Sequence, residues 1–167
     1  MERPIFDIPG FLAERARPAS VATTTGRGNT ALAMMWFVAE DRRLWFHTPA
    51  ETGRPAPFLD AARHEREVAV MVATFDPPDD VRQVRMTGRA RLEAKDGARV
   101  RRIYERYVPD WNAAWADHAA SPNACLWSMS PERGMAVTYP GLENGPVFRW
   151  SKPVRPGWSV LDSVSEG

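Results

Sequence analysis

The chain has 167 residues, with 22 basic and 21 acidic side chains and a net charge of +1. That length fits one domain with a sizeable core, and the balanced charge excludes bulk attraction to nucleic acid or a membrane surface. Cys125 is the single cysteine, which excludes an internal disulfide and gives no thiolate metal cluster, as suits a reducing cytoplasm.

No run approaches the ~18 apolar residues of a spanning helix, and Met1-Glu2-Arg3-Pro4 lacks a signal-peptide core. A cytoplasmic protein is expected. Lys95 and Lys152 are the only lysines, so the positive charge is almost all arginine. Seven Trp and seven Met are many for this length and point to apolar surface that a ligand or second subunit covers.

Residues 8–16 read as a short helix capped by Asp7. A β-branched run over 20–25, the turn Gly26-Arg27-Gly28-Asn29 and the apolar run Thr30–Val38 form a hairpin, the last strand expected to be buried on both faces. Glu40-Asp41-Arg42-Arg43 turns the chain into a strand over 44–48. Pro55 and Pro57 lead into a short helix, 58–65, followed by a buried strand over 68–75 and the loop Asp76-Pro77-Pro78-Asp79-Asp80.

From 84 to 92 the alternation is clean: Val84, Met86, Gly88, Ala90 and Leu92 share one face, and Gln83, Arg85, Thr87, Arg89 and Arg91 the other. Asp96 caps a helix whose Val100, Ile103, Tyr104 and Tyr107 fall at helical spacing. A second helix covers 110–119, and two strands, 124–130 and 134–139, flank Pro131-Glu132-Arg133. Beyond Pro140 no period survives, so 1–140 reads as one domain and 141–167 as a tail that packs on a partner subunit. Mostly hairpin-linked strands with helices at the edges make an α+β, mainly β protein: an antiparallel barrel of six or seven strands with flanking helices.

The stretch with most chemistry is His47-Thr48-Pro49-Ala50-Glu51-Thr52-Gly53-Arg54, directly after the apolar Leu44-Trp45-Phe46. Spaced hydroxyls, a glycine and an arginine at a strand end suit a phosphate monoester, because the guanidinium fork and the hydroxyls divide its oxygens between them. Nothing else resembles a catalytic centre. His47, His64 and His118 are too scattered for a metal site, Cys125 has no adjacent base, and no Gly-rich dinucleotide fingerprint or P-loop is present.

In its order of elements, from Arg17 to Tyr139, the chain resembles the FMN-binding split-barrel family, the pyridoxamine 5′-phosphate oxidase-like and flavin/deazaflavin-dependent oxidoreductases. The carrying motifs are His47-Thr48, Thr52-Gly53-Arg54 before Phe58-Leu59, Gln83-Val84-Arg85-Met86-Thr87-Gly88, and Pro131-Glu132-Arg133. The resemblance implies that Arg54 binds the cofactor phosphate, helped by Thr48 and Thr52, with His47 and Gly53 in the same stretch. It implies that Met35, Trp36 and Phe37 lie along the flavin ring and that Gln83 approaches it from a neighbouring strand. On residue type alone, Trp36 and Phe37 serve equally as core, and Gln83 and Arg85 equally as solvent-facing groups on an edge strand.

The basic pair of the oxidase proper is broken by Gly53, and its C-terminal arginine- and histidine-containing signature is missing from 141–167. The expected function is therefore hydride transfer through bound FMN to a small-molecule substrate other than vitamin B6, in a homodimer, with no side chain assigned as catalytic. The alternatives are an F420-dependent reductase or a non-catalytic flavin- or haem-binding protein.

Overall fold

The structure is a computed structural model that describes residues 5–50, 53, 55–142, 145–151 and 161–162. In chain order its elements are β1 (Ile5–Phe6), α1 (Ile8–Glu14), β2 (Ala19–Thr24), β3 (Thr30–Met35), β4 (Val38–Glu40), β5 (Arg43–Pro49), α2 (Pro57–Arg63), β6 (Glu67–Ala73), β7 (Arg82–Leu92), α3 (Gly97–Tyr107), α4 (Ala113–Ala119), β8 (Ala124–Met129), β9 (Arg133–Thr138), a short 3-10 turn (Pro140–Leu142), β10 (Val147–Trp150) and β11 (Leu161–Asp162). The caps read from sequence hold at two helices: the carboxylates of Asp7 and Asp96 accept from the backbone N–H groups of Gly10 and Arg99, each at 3.0 Å. The second helix starts later than the expected 110: Asn112 caps α4, its side chain accepting from Trp115 N–H at 3.1 Å.

The main antiparallel sheet runs β3-β2-β6-β7-β8-β5-β4 and curls into a half-barrel, with β9 and β10 joined at its side. Its two end strands, β3 and β4, are consecutive in sequence. Only Trp36 and Phe37 separate them, so this dipeptide spans the seam between the two ends of the sheet. Phe37 turns inward and is fully buried, with Phe46 and Trp127, in the larger core cluster. Trp36 remains partly exposed.

Backbone groups at such a seam have no ladder partner and need one. Helix α3 supplies it: Tyr107 Oη accepts from Phe37 N–H at 3.3 Å, and Arg106 Nη1 donates to Phe37 C=O at 3.0 Å. Arg106 also donates to the carbonyls of Leu12 and Arg15, tying the end of α1 to the same place.

β7 is the long strand because it serves two neighbours on one edge. It pairs β6 on one side; on the other it pairs β9 from Arg82 to Thr87 and β8 from Ala90 to Leu92. Gly88 stands at this fork, where a Cβ would run into the carbonyl oxygen of Ser130. Close backbone approach, not a turn, requires glycine here.

The structure corrects several of the sequence expectations. Residues 30–38 do not form one strand buried on both faces: the strand stops at Met35, and Leu32 and Met34 are 73% and 70% exposed, because β3 is a sheet edge with neighbours on one side only. β6 likewise buries only alternate residues, and Leu92 at the end of β7 is exposed. Among the described residues the main sheet is a path of seven strands with β9 and β10 added at its side, nine in all, and β1 and β11 pair separately. Part of the supposed tail belongs to the barrel, since β10 pairs with β9 and Phe148 is buried in the core; a four-residue strand is too short to show a period in sequence.

Candidate functional site

A cavity of about 310 Å³ opens beside the seam, lined by Met34, Met35, Trp36, His47, Thr48, Pro49, Ile103 and Tyr104. It lies where the end of β3, the end of β5 and the face of α3 converge. The size is at the lower end of small-molecule sites, and the lining is mostly apolar with a few polar groups, the usual make-up of a ligand pocket.

The polar groups are held from behind. On β5, successive side chains point to opposite faces. Thr48 turns toward the barrel core, where its Oγ1 accepts from Trp127 Nε1 at 2.8 Å. His47 turns toward α3, where Nδ1 lies 3.1 Å from Tyr104 Oη. Burial, followed by the charge of His118, pushes the His47 pKa below its ordinary value, and burial raises the Tyr104 phenol. Both rings are therefore neutral at neutral pH.

Aromatic side chains build the outer wall. Trp36 stacks on Tyr107 with centroids 5.1 Å apart and planes 3° from parallel, and meets Tyr104 edge-on at 5.7 Å. Trp115 of α4 lies 5.9 Å from Trp36 and 6.1 Å from Tyr104. Among the described residues, no carboxylate or guanidinium lines the cavity. A planar, uncharged ring with hydrogen-bond acceptors at its edge matches these walls.

Of the nine residues singled out in sequence, the structure brings Met35, Trp36, His47 and Thr48 together around this cavity. Phe37 lies in the core behind it, and Gln83 is not among the lining residues. Gln83 sits on β7 opposite Ala73 and Val137, where its Oε1 accepts from Arg85 Nη2 at 2.7 Å. Gly53 is exposed with φ of +80°, the left-handed region that favours glycine. Thr52 and Arg54 lie outside the described residues. Tyr104 and Ile103 are added by the fold; in sequence both read only as the buried face of a helix.

Residues 11–138 match the family described as pyridoxamine 5′-phosphate oxidase. The chain belongs to the pyridoxamine 5′-phosphate oxidase family. Solved structures agree on the fold. The heme binding protein from Mycobacterium smegmatis matches with a TM-score of 0.63 at 13% identity over 86% of this chain, which spans 56% of that protein's length, little more than half. The heme storage protein from Vibrio cholerae matches with a TM-score of 0.56 at 16% identity, over 80% of this chain and 94% of that one. The FAD binding protein from Mycobacterium smegmatis matches with a TM-score of 0.54 at 17% identity, over 81% of this chain and 97% of that one. No curated protein matches the sequence.

Within the matched range this family member carries the strand-end His47-Thr48 pair at the cavity, on a scaffold closed by α3. No helix among the described residues is long and apolar enough to cross a membrane.

Proposed function

We propose that this chain binds FMN, with the flavin ring in the cavity beside Trp36 and the phosphate held by Arg54 with Thr52 and Thr48, and that it acts as a flavin-dependent oxidoreductase in the cytoplasm. The observation that carries the reading is the cavity itself. Its apolar walls and neutral, pre-positioned hydroxyl and imidazole suit an uncharged tricyclic ring, and it opens at the strand end that leads to Gly53-Arg54. Bound flavin supplies hydride chemistry; the protein supplies binding, orientation and exclusion of water. Among the described residues no strong acid or base lines the site, so the chemistry is proposed to lodge in the cofactor. F420 presents the same combination of phosphate and ring and is the first alternative.

The unit that works is proposed to be a homodimer. Met34, Ser20, Met71 and Arg85 form one cross-strand row on the outer sheet face, and Leu32, Ala22, Ala69 and Thr87 the next. Leu32 and Met34 stand largely exposed there, an apolar surface continuous with the cavity rim at Met34, and a second copy would cover it.

A non-catalytic haem-binding role is the second reading, favoured by the fold likeness to proteins named for haem binding and storage and by an imidazole beside two methionines in the cavity. An absorbance spectrum of freshly purified protein, with mass spectrometry of the released ligand, separates the readings. Flavin bands and an FMN or F420 mass support the oxidoreductase; a band at ~400 nm and a porphyrin mass replace it with the haem protein. Binding without reduction by NADPH or reduced F420 in steady-state assays leaves a carrier.

A further inference from the structure

His47 holds a nitrogen with a committed partner and a nitrogen without one among the described residues. Nδ1 is 3.1 Å from Tyr104 Oη, and this is the hydrogen bond the structure gives that phenol. Tyr104 is 5% exposed, ringed by Trp36, Trp111, Trp115 and His118. A phenol proton in such surroundings needs an acceptor, and a buried O–H left without one is disfavoured. If Nδ1 carried the imidazole proton, it would donate to Tyr104 Oη, and the phenol proton would have no acceptor among the described residues. With the proton on Nε2, the phenol donates to Nδ1, and Nε2–H is the one donor of the pair left to face the cavity.

We propose that His47 presents Nε2–H to the cavity as a fixed neutral donor, that Tyr104 is the positioning residue that sets this tautomer, and that the ligand atom recognised is a hydrogen-bond acceptor, a carbonyl oxygen or ring nitrogen, on an uncharged heteroaromatic ring. Thr48 Oγ1 is committed to Trp127 Nε1 on the core side of β5, so the donor the lining presents is His47, and a ligand edge that carries only donors is disfavoured there.

The titratable groups facing His47 are Tyr104 from α3 and His118 from α4. β3 brings Met34, Met35 and Trp36, and β8 places Leu126 opposite His47 and Cys125 one position on. No carboxylate contributes to the lowered His47 pKa; burial first and a second imidazole next oppose its protonation.

The ligand in this inference rests on the flavin reading above; the tautomer does not. Long-range proton–nitrogen NMR of the ligand-free protein reads the tautomer directly. The expected result is a pyridine-type Nδ1 and a pyrrole-type Nε2 at His47, with a pKa below 6.5 that rises in Tyr104→Phe. A pyrrole-type Nδ1 in the wild-type protein overturns the proposal, whatever the variant's stability. Titration with riboflavin, which carries the ring without the phosphate, and with FMN then tests the donor. Tyr104→Phe weakens both by a similar factor, about 3- to 10-fold, and equal affinity of the variant and the wild type for riboflavin overturns the donor role. Failure of the wild type to bind FMN, beside the expected tautomer, removes the flavin reading and leaves the donor assignment standing.

Discussion

The indole of Trp127 donates to the hydroxyl of Thr48 across 2.8 Å, joining a fully buried core residue to the rim of the cavity. Trp127 also stacks on Phe46 with centroids 4.4 Å apart. The position of Thr48 is therefore set by the packed interior rather than by its own loop, which makes the cavity part of the fold. Thr48→Val keeps the shape and strands the indole N–H in the core. It is expected to cost about 1–3 kcal/mol, read as a lower denaturation midpoint at unchanged m-value. A midpoint equal to wild type would show the bond to be idle.

Gly88 gives a sharper test of the fork in β7. A methyl group there meets the carbonyl oxygen of Ser130, backbone that can move only if β8 and β9 separate. Gly88→Ala is expected to lose at least about 3 kcal/mol or to fail to fold. Gly26→Ala, where nothing lies within 4 Å, serves as the control and stays within about 0.5 kcal/mol. Equal stabilities of the two variants would contradict the fork geometry.

Acid stability follows from a partly exposed ion-pair node. Asp80 accepts from Arg82 Nε at 2.7 Å and from Thr74 Oγ1 at 2.7 Å, and Arg82 reaches Glu14 at 3.0 and 3.1 Å. The hydrogen bond from Arg82 is the largest cause that holds the Asp80 carboxyl at about 2 against 3.8. A carboxyl with a lowered folded-state pKa contributes stability that is present above its unfolded value and lost as pH falls through the folded one. The loss is therefore expected between about pH 4 and pH 2, and Asp80→Asn flattens that limb. Glu14, Glu40 and Asp60 are shifted the same way, so the limb shrinks without vanishing. His47, also lowered, adds a separate decline that begins as pH falls below the ordinary imidazole value. Thermal unfolding across pH reads both.

Leu32 and Met34 test the proposed dimer. Replacing both with glutamate places charge on the exposed face of an edge strand, Met34 at the cavity rim included. Light scattering after size exclusion is expected to show a dimer for the wild type and a folded monomer for the double variant. A monomeric wild type at micromolar concentration would remove the assembly.

Much of this architecture is legible in the residues because local and global signals agree. The Asp7 and Asp96 caps, the alternation of β7 and the stripe of Val100, Ile103 and Tyr104 each specify an element without reference to the rest. The errors arise where partners decide. The apolar residues of 30–37 look like a doubly buried strand, yet Leu32 and Met34 face outward on a sheet edge while Phe37 plugs the seam. β10 carries too few residues to announce itself, and only its register against β9 reveals it.

The site is divided in the same way. His47 and Thr48 stand out by spacing, and the structure sets both at the cavity with Met35 and Trp36. Tyr104 could not be distinguished from an ordinary core residue, because its role depends on a hydroxyl meeting a side chain 57 positions away. Arg106 and Tyr107, neighbours on the last turn of α3, both satisfy the backbone of Phe37. Long-range polar contacts leave no periodic trace in sequence.

The central claim, a flavin ring in this cavity with its phosphate on Arg54, is tested most directly by titrating FMN into the purified protein and into Arg54→Ala, following flavin fluorescence. Saturable binding by the wild type at one FMN per chain is expected, weakened by about 1.5–3 kcal/mol in the variant, the range for a hydrogen bond to a charged group. A wild type that binds neither FMN nor F420 while its fold and oligomeric state are intact would contradict it.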